Sequence, residues 1–396
     1  MNICVLIRST TFHNKSGGLE TQNKTLCEGL AKKGHKVIVV STSSNISTLS
    51  HLQGVINVIK ENGVEYHFIN ASSGIYSRQW WQESVIKFRE LDGKYKFDVV
   101  ISQSSAGKKV LSIAGNVKKI VINHGTALGE LKTRFASLKS PRNAVRFILK
   151  DIPMVIEGYW DDYQTFRKAD KIVCVSGLLA DNLSREYPFV KGKVVVIENG
   201  VDLKRFETGV SKPASRGFCL LYVGRIVEEK GIGGLLKALS IVRDEIKDIS
   251  LYIVGGGKDL DKFKDMTKRL KITDVVNYVG EVGNTEVVKY YKSSDVFVYP
   301  SLRQEGFPMV IAESMASGLP IIASRIGGIP NAIEDKKTGV LIEPGDIKNL
   351  VGAILLYYKN ASLRETISQN AKRKAFEHYS QEAMVRSYLK AFENTP

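Results

Sequence analysis

The chain states one short grammar twice, and that repetition limits its fold more than any other feature. Ile3 to Ile7 is an apolar run, a polar loop ends in Gly17-Gly18, and Leu19 to Lys33 carries Leu26, Leu30 and Ala31 at helical spacing. Gly34 closes that helix and Val37 to Val40 is the next apolar run. In the second half the order recurs: Cys219 to Val223, a loop from Gly224 to Gly234, a helical stretch from Leu235 towards Glu245, then Leu251 to Val254. Runs of Val, Ile and Leu without polar alternation suit strands covered on both faces, and their alternation with helices builds parallel sheets. Further runs at 99–101, 120–122, 172–175 and 194–197 extend the first half, and those at 275–279, 296–299 and 321–323 the second. A chain of 396 residues has room for two such domains. Lys204 to Arg216, with Ser211, Pro213 and Ser215, has linker composition. We therefore expect an N-terminal domain over 1–206 and a C-terminal domain over 207–377. A last helix, capped by Ser380, runs through Met384, Tyr388 and Phe392.

The densest chemistry lies where the strand Val296 to Tyr299 ends at Pro300. A loop there carries Glu305, and helical character from Met309 to Ser317 carries Glu313, before Gly318-Leu319-Pro320 stops it. Gly306, Phe307, Pro308, Met309 and Val310 line the helix mouth, where unpaired amides favour a phosphate or a polarised oxygen. Two acids beside such amides suit a sugar nucleotide, whose hydroxyls need acceptors and whose phosphates need donors. Two ordinary surface charges are the alternative, and loops after strands of open sheets, where ligands bind, weigh against it. In Gly224 to Gly231, Arg225 leaves a strand end and Lys230 precedes a glycine-rich helix start. An arginine fork and a lysine point charge there can hold a diphosphate, although two solvated cations would read the same way in isolation.

Ser301-Leu302-Arg303-Gln304-Glu305-Gly306-Phe307-Pro308, then Glu313, Ala316 to Pro320 and Ile322-Ala323-Ser324, resemble the donor site of the retaining glycosyltransferases of family 4. Their architecture is GT-B, so the resemblance implies two Rossmann-like, doubly wound α/β domains facing a central cleft, with the last helix, 378–396, completing the first domain. It implies that Arg225 and Lys230 neutralise the leaving nucleotide diphosphate, that Glu313 accepts from the ribose and that Glu305 lies against the donor sugar. Gly17-Gly18 is by itself an ordinary turn; in the family this loop faces the donor phosphates. His124, before Gly125-Thr126, is by itself more often structural; in related enzymes a histidine at this point contacts the donor sugar, so we group it with Glu305, Arg225 and Lys230 as catalytic. Glu198-Asn199-Gly200-Val201-Asp202 resembles the family segment that shapes the hinge, and the loop at Gly280-Glu281-Val282 is a candidate contact for the base. Gly255-Gly256-Gly257 lacks the Gly-x-Gly-x-x-Gly spacing, since position 260 is Leu, and reads as a turn.

The six histidines show no metal spacing, and Asp259-x-Asp261 lies among Lys258, Lys262 and Lys264 as a solvated face. We expect no cofactor and no metal, with a UDP- or GDP-sugar as co-substrate. The four cysteines, Cys4, Cys27, Cys174 and Cys219, are scattered and read as reduced structural residues. No apolar run is long enough to span a bilayer and the N-terminus lacks a signal-peptide core, which points to a cytoplasmic protein.

The net charge of +16 is uneven: residues 1–205 hold 30 Lys and Arg against 18 Asp and Glu, and the remainder 27 against 23. An anionic membrane surface or nucleic acid is the usual partner of such a field, and no nucleic-acid recognition motif is present. Ser140-Pro141 can open a helix with Arg142, Arg146 and Lys150 on one face and Val145, Ile148, Leu149 and Ile152 on the other. Packing of that apolar face on the sheet is an equal reading. Trp80-Trp81 would add an interfacial anchor. These features suggest a glycan or lipid-linked acceptor on the N-terminal half, in cell-surface polysaccharide or glycolipid synthesis, and a peripheral position on the inner face of the cell membrane. A nucleotide-sugar 2-epimerase of the same architecture and a non-catalytic sugar-nucleotide or membrane-binding protein are the rival readings.

Overall fold

The computed structural model describes residues 1–13, 17–43, 58–71, 77–129, 131, 152–207 and 217–395. The expected basic helix after Ser140 and the part of the expected linker from 208 to 216 lie outside them. The chain divides into two compact units, Met1–Gly200 with Gln381–Pro396, and Val201–Ser380. The division falls after Gly200, six residues before the 206/207 boundary that the linker composition suggested.

The first unit is built on β1 (Asn2–Leu6), β2 (Lys36–Thr42), β3 (Val58–Glu61), β4 (Val64–Ile69), β5 (Val99–Gln103), β6 (Lys118–Asn123), β7 (Lys171–Cys174) and β8 (Val194–Val196). Their order is β3-β4-β2-β1-β5-β6-β7-β8, parallel except for the β3–β4 hairpin. Val37 to Val40 and Ile3 to Leu6 are fully buried, as strands covered on both faces must be. The hairpin was not anticipated. Its signal was present in Asn62-Gly63, both at positive φ (49° and 81°), the pair that a tight hairpin turn selects. Glu65 and His67 hid β4, because both are buried in it; Lys36 pairs with the Glu65 carboxylate from the neighbouring strand. The helix Gly18–Lys32 packs Leu26, Cys27 and Leu30 inward. The last helix, Gln381–Glu393, lies against it: Gln381 Nε2 donates to the Thr25 carbonyl at 2.7 Å. A Cβ on Gly29 would meet Val385 at 2.5 Å, so the missing side chain sets how closely the two helices approach.

The second unit carries β9 (Phe218–Val223), β10 (Ile249–Val254), β11 (Val276–Gly280), β12 (Val296–Tyr299), β13 (Ile321–Ser324) and β14 (Val340–Ile342). All are parallel, in the order β11-β10-β9-β12-β13-β14. Leu235, Leu236 and Leu239 of the helix Ile232–Val242 are buried against this sheet. These are the two doubly wound α/β units that the sequence led us to expect. Each sheet reverses its direction of growth once, between β1 and β5 in the first unit and between β9 and β12 in the second. Loops at the carboxyl ends of strands part at such a point and leave a crevice.

One surface expectation is corrected. Trp80 is fully buried and its Nε1–H donates to the Ala106 carbonyl at 2.9 Å. Lys108 lies 4.6 Å from the Trp81 ring centroid. Trp80 is therefore a packing element and not an interfacial anchor, while Trp81 is half-buried beneath a stacked cation.

Candidate active site

In the second unit the crevice between β9 and β12 gathers most of the sequence-derived candidates. Lys230 ends a short turn of 3-10 helix (Glu228–Lys230) after β9, and its ammonium is almost entirely withdrawn from solvent. It donates to Tyr299 Oη at 2.7 Å and to Glu305 Oε1 at 2.5 Å. The Ser301 hydroxyl lies 3.1 Å from the same carboxylate oxygen. A buried ammonium is tolerated only with such partners. Tyr299 is enclosed as well; burial, and then the nearby Glu305 charge, drive its hydroxyl well above the ordinary phenol range, so it stays protonated beside Lys230. Tyr222 stacks on Tyr299 and fixes the loop before Lys230 by donating from its Oη to the Arg225 carbonyl at 2.9 Å.

Backbone packing holds these loops in register. Gly231, at φ +75°, lies so close to Pro300 that a Cβ would stand 1.9 Å from the Pro300 carbonyl oxygen. The Leu302 N–H donates to the Glu229 carbonyl at 2.9 Å. Glu305 is braced from the other side by the loop after β13, where Gly328 N–H donates to its carbonyl at 2.6 Å and Gly327 has φ +60°. The Gly255 to Gly257 turn is a close-approach device: Cβ atoms at Gly255 and Gly257 would strike the backbone of Gly224 and Ile226. Gly280, at the end of β11, accepts the Gly255 N–H through its carbonyl. Asp259 Oδ2 accepts from the Glu228 N–H at 2.8 Å.

The other candidates are placed differently. Arg225 projects into solvent, with 64% of its side chain exposed and Glu229 3.8 Å away. The helix Met309–Ala316 opens at Pro308, with its first-turn amides directed out of its N-terminus beside the Glu305 loop. Glu313 belongs to that helix and is buried; Tyr291 Oη donates to its Oε2 at 3.0 Å. Burial raises the Glu313 pKa, and the Arg205 charge and the Tyr291 hydrogen bond only partly oppose that.

In the first unit, His124 follows β6, partly covered, with Nε2 2.7 Å from Gln103 Oε1. Burial pushes its pKa down to about 4, so the ring is neutral at pH 7. Gly17 caps the Gly18–Lys32 helix, and the Glu20 carboxylate already occupies that end, accepting from Gly17 N–H at 2.8 Å and from Ser9 Oγ at 2.6 Å.

Comparison with known proteins follows the same division. Residues 205–374 match the family described as Glycosyl transferases group 1, and residues 16–205 match Glycosyltransferase Family 4. The chain belongs to the family 4 glycosyltransferases. An uncharacterized glycosyltransferase of Methanocaldococcus jannaschii is 24% identical over 395 residues, which cover 95% of this chain and 94% of that protein. The capsular polysaccharide biosynthesis glycosyltransferase CapM of Staphylococcus aureus is 23% identical, covering 91% of this chain and 99% of its own. The solved structure of Anabaena HepE in complex with UDP-glucose superposes with a TM-score of 0.75 at 17% identity over 99% of both chains. The fold of this glycosyltransferase is GT-B.

Several residues that support the candidate side chains of the two units escaped the sequence reading. Tyr299 looked like one more residue of an apolar strand, and Tyr291 carried no signal of its own. Gly327-Gly328 carried a usable signal, a glycine pair at the carboxyl end of a strand two residues before Pro330. Gln103 carried none, since a lone glutamine ending a strand is unremarked until its neighbours are known. Among the described residues no group of acids, histidines or cysteines is arranged to hold a metal, and no helix is long and apolar enough to cross a membrane.

Proposed function

We propose that this glycosyltransferase moves a sugar from a UDP- or GDP-sugar to a glycan or lipid-linked acceptor, with retention at the anomeric carbon and without a metal ion. The observation that carries the reading is the Lys230–Glu305 contact at the switch point of the second unit, beside the N-terminus of the Met309–Ala316 helix. It joins a fixed cation, a carboxylate and outward-facing amides in one crevice. Those are the groups that a nucleotide-sugar demands at its diphosphate and its hydroxyls. Arg225 and Lys230 carry the positive charge against which the diphosphate departs. Glu305 and Glu313 accept from the sugar and the ribose, and the Gly280 loop borders the base.

Glu305 Oε1 is engaged by Lys230 and Ser301, which disfavours a covalent glycosyl-enzyme at that carboxylate. We therefore assign front-face attack. The bond from C1 to the phosphate oxygen breaks as the acceptor oxygen bonds C1 from the same side, and the acceptor's proton passes to the departing phosphate. The acceptor is assigned to the first unit. Its outer surface exposes Met154, Ile156, Trp160 and Phe189, which suits a lipid-linked acceptor at an anionic membrane and a cytoplasmic enzyme held peripherally there. CapM, named for capsular polysaccharide synthesis, supports a role in cell-surface polysaccharide or glycolipid assembly.

A thermal-shift panel of UDP, GDP, ADP and their sugars, followed by mass analysis with lipid and soluble acceptors, tests donor and acceptor together. Product anomers are read by NMR, and turnover should persist in EDTA. Arg225→Ala and Lys230→Ala should each lower turnover by about two orders of magnitude. Near-normal turnover in both would end this assignment. Co-sedimentation with anionic vesicles at low and high salt tests the membrane; no binding at either salt removes that part.

A further inference from the structure

The crevice of the first unit contains a buried amide network that reaches His124. Gln103 is the last residue of β5, paired in register with Ile122 of β6, so its side chain emerges beside the loop that begins at His124. Gln22, Asn23 and Gln103 are each at most 1% exposed, too deep for bulk water to satisfy them. The Gln103 amide nitrogen donates to Asn23 Oδ1 at 2.9 Å and to Gln22 Oε1 at 3.3 Å, both on the Gly18–Lys32 helix. Two acceptors on one side fix which way the Gln103 amide points. Its carbonyl oxygen is turned to His124 Nε2, 2.7 Å away. A carbonyl oxygen can only accept, so Nε2 must carry the proton. The imidazole is neutral, which leaves Nδ1 with a lone pair. No hydrogen bond to Nδ1 is made among the described residues.

The loop is held independently of this contact. Asn123 Oδ1 accepts from Gly125 N–H at 3.3 Å, the Asp162 carboxylate accepts from Ala127 N–H at 3.2 Å, and Thr126 Oγ1 accepts from Gly129 N–H at 3.1 Å. Gln103 therefore governs the ring and its tautomer more than the course of the backbone.

We propose that Gln103 is a positioning residue that locks His124 in the Nε2–H tautomer, so that Nδ1 is presented as a hydrogen-bond acceptor to a hydroxyl of the sugar substrate. The contact with substrate rests on the glycosyl-transfer reading given above; the lock itself does not. It assigns His124 to accepting and orienting a hydroxyl, with its one N–H kept by Gln103 and none offered to the substrate.

The test uses the full chain labelled with 15N-histidine, His124→Asn identifying the His124 signals among the six histidines. Long-range proton–nitrogen spectra at pH 7 distinguish the two tautomers without any substrate present. The wild-type protein should show Nε2 protonated. Gln103→Met, which keeps bulk and removes the acceptor, should lose that fixed pattern and lower kcat/KM for transfer by about tenfold, the range of one lost hydrogen bond. An Nδ1–H tautomer in the wild-type protein would overturn the proposal. So would full transfer by a Gln103→Met protein that has lost the tautomer. If the wild-type protein turned over no nucleotide-sugar, the glycosyl-transfer reading would fall while an Nε2–H spectrum upheld the lock.

Discussion

Replacing Lys230 by Met leaves the aliphatic stem in place and takes away the cation paired with Glu305 Oε1. Only 9% of the Lys230 side chain and 16% of the Glu305 side chain are exposed. Removing one partner of a fully buried pair costs about 3–5 kcal/mol, because the other charge is stranded. Here the Ser301 hydroxyl stays 3.1 Å from the carboxylate and its remaining exposure admits water, which lowers the expectation to about 2–4 kcal/mol. Glu305→Gln strands the ammonium in turn, with Tyr299 Oη as its remaining partner, and should cost a similar amount. The double variant strands neither charge. Its destabilisation should then fall short of the sum of the singles by roughly 2–3 kcal/mol. Urea unfolding of all four proteins at pH 7 measures this coupling, followed by two optical probes because a chain of two units can unfold in two steps. Additivity within about 0.5 kcal/mol would refute the claim that the two side chains act as one unit.

Glu313→Gln keeps an acceptor for Tyr291 Oη while removing a carboxyl whose pKa burial has raised. As pH rises through 4.5 the unfolded chain gives up that proton before the folded one does, so the wild-type protein loses stability towards neutral pH. The variant should therefore gain stability at pH 7 and little at pH 4, with weaker nucleotide binding; equal urea midpoint shifts at both pH values would contradict the burial argument. Gly231→Ala meets the Pro300 carbonyl and a positive φ together, and should cost at least about 1–3 kcal/mol and displace Lys230. Gly283→Ala, with open space around it, should stay within about 0.5 kcal/mol. Equal thermal midpoints for these two alanine variants would count against the packing described for the loop.

How far the sequence could be read depended on whether a residue's role is set by its neighbours in the chain. Both sheets were legible because central parallel strands are continuous runs such as Val37 to Val40, and no other element hides in such a run. Strand β4 was not, because Glu65 and His67 look like surface residues until Lys36 is placed beside Glu65. At the site, Glu305, Glu313, Arg225 and Lys230 stood out through spacing, glycines and family resemblance. Their unequal burial did not, since it depends on which loops meet in space. Lys230 and Arg225 are five residues apart, and one is enclosed while the other points to water. Tyr299 and Gln103 are ordinary in sequence and become meaningful only through what the adjacent strand and helix bring to them.

That inequality separates the two cations in a way a sequence motif cannot. Lys230 is held before any ligand arrives, by Tyr299 at 2.7 Å and by Glu305, so little rotamer freedom is left to lose when a phosphate binds. Arg225 must be ordered from solvent, and whatever it contributes is reduced by that entropy. The consequence is an asymmetry in conservative exchange. Arg225→Lys keeps a mobile charge in open space and should lower kcat/KM by less than about tenfold, reflecting the lost fork. Lys230→Arg must fit a planar guanidinium into a site closed by Tyr299, Ser301 and Glu305, where overpacking displaces neighbours. Its loss should approach that of Lys230→Ala, about two orders of magnitude. Steady-state kinetics on the two exchanges decide the matter. A Lys230→Arg enzyme as active as Arg225→Lys would mean that charge alone is needed at position 230 and that the enclosing contacts contribute nothing to turnover.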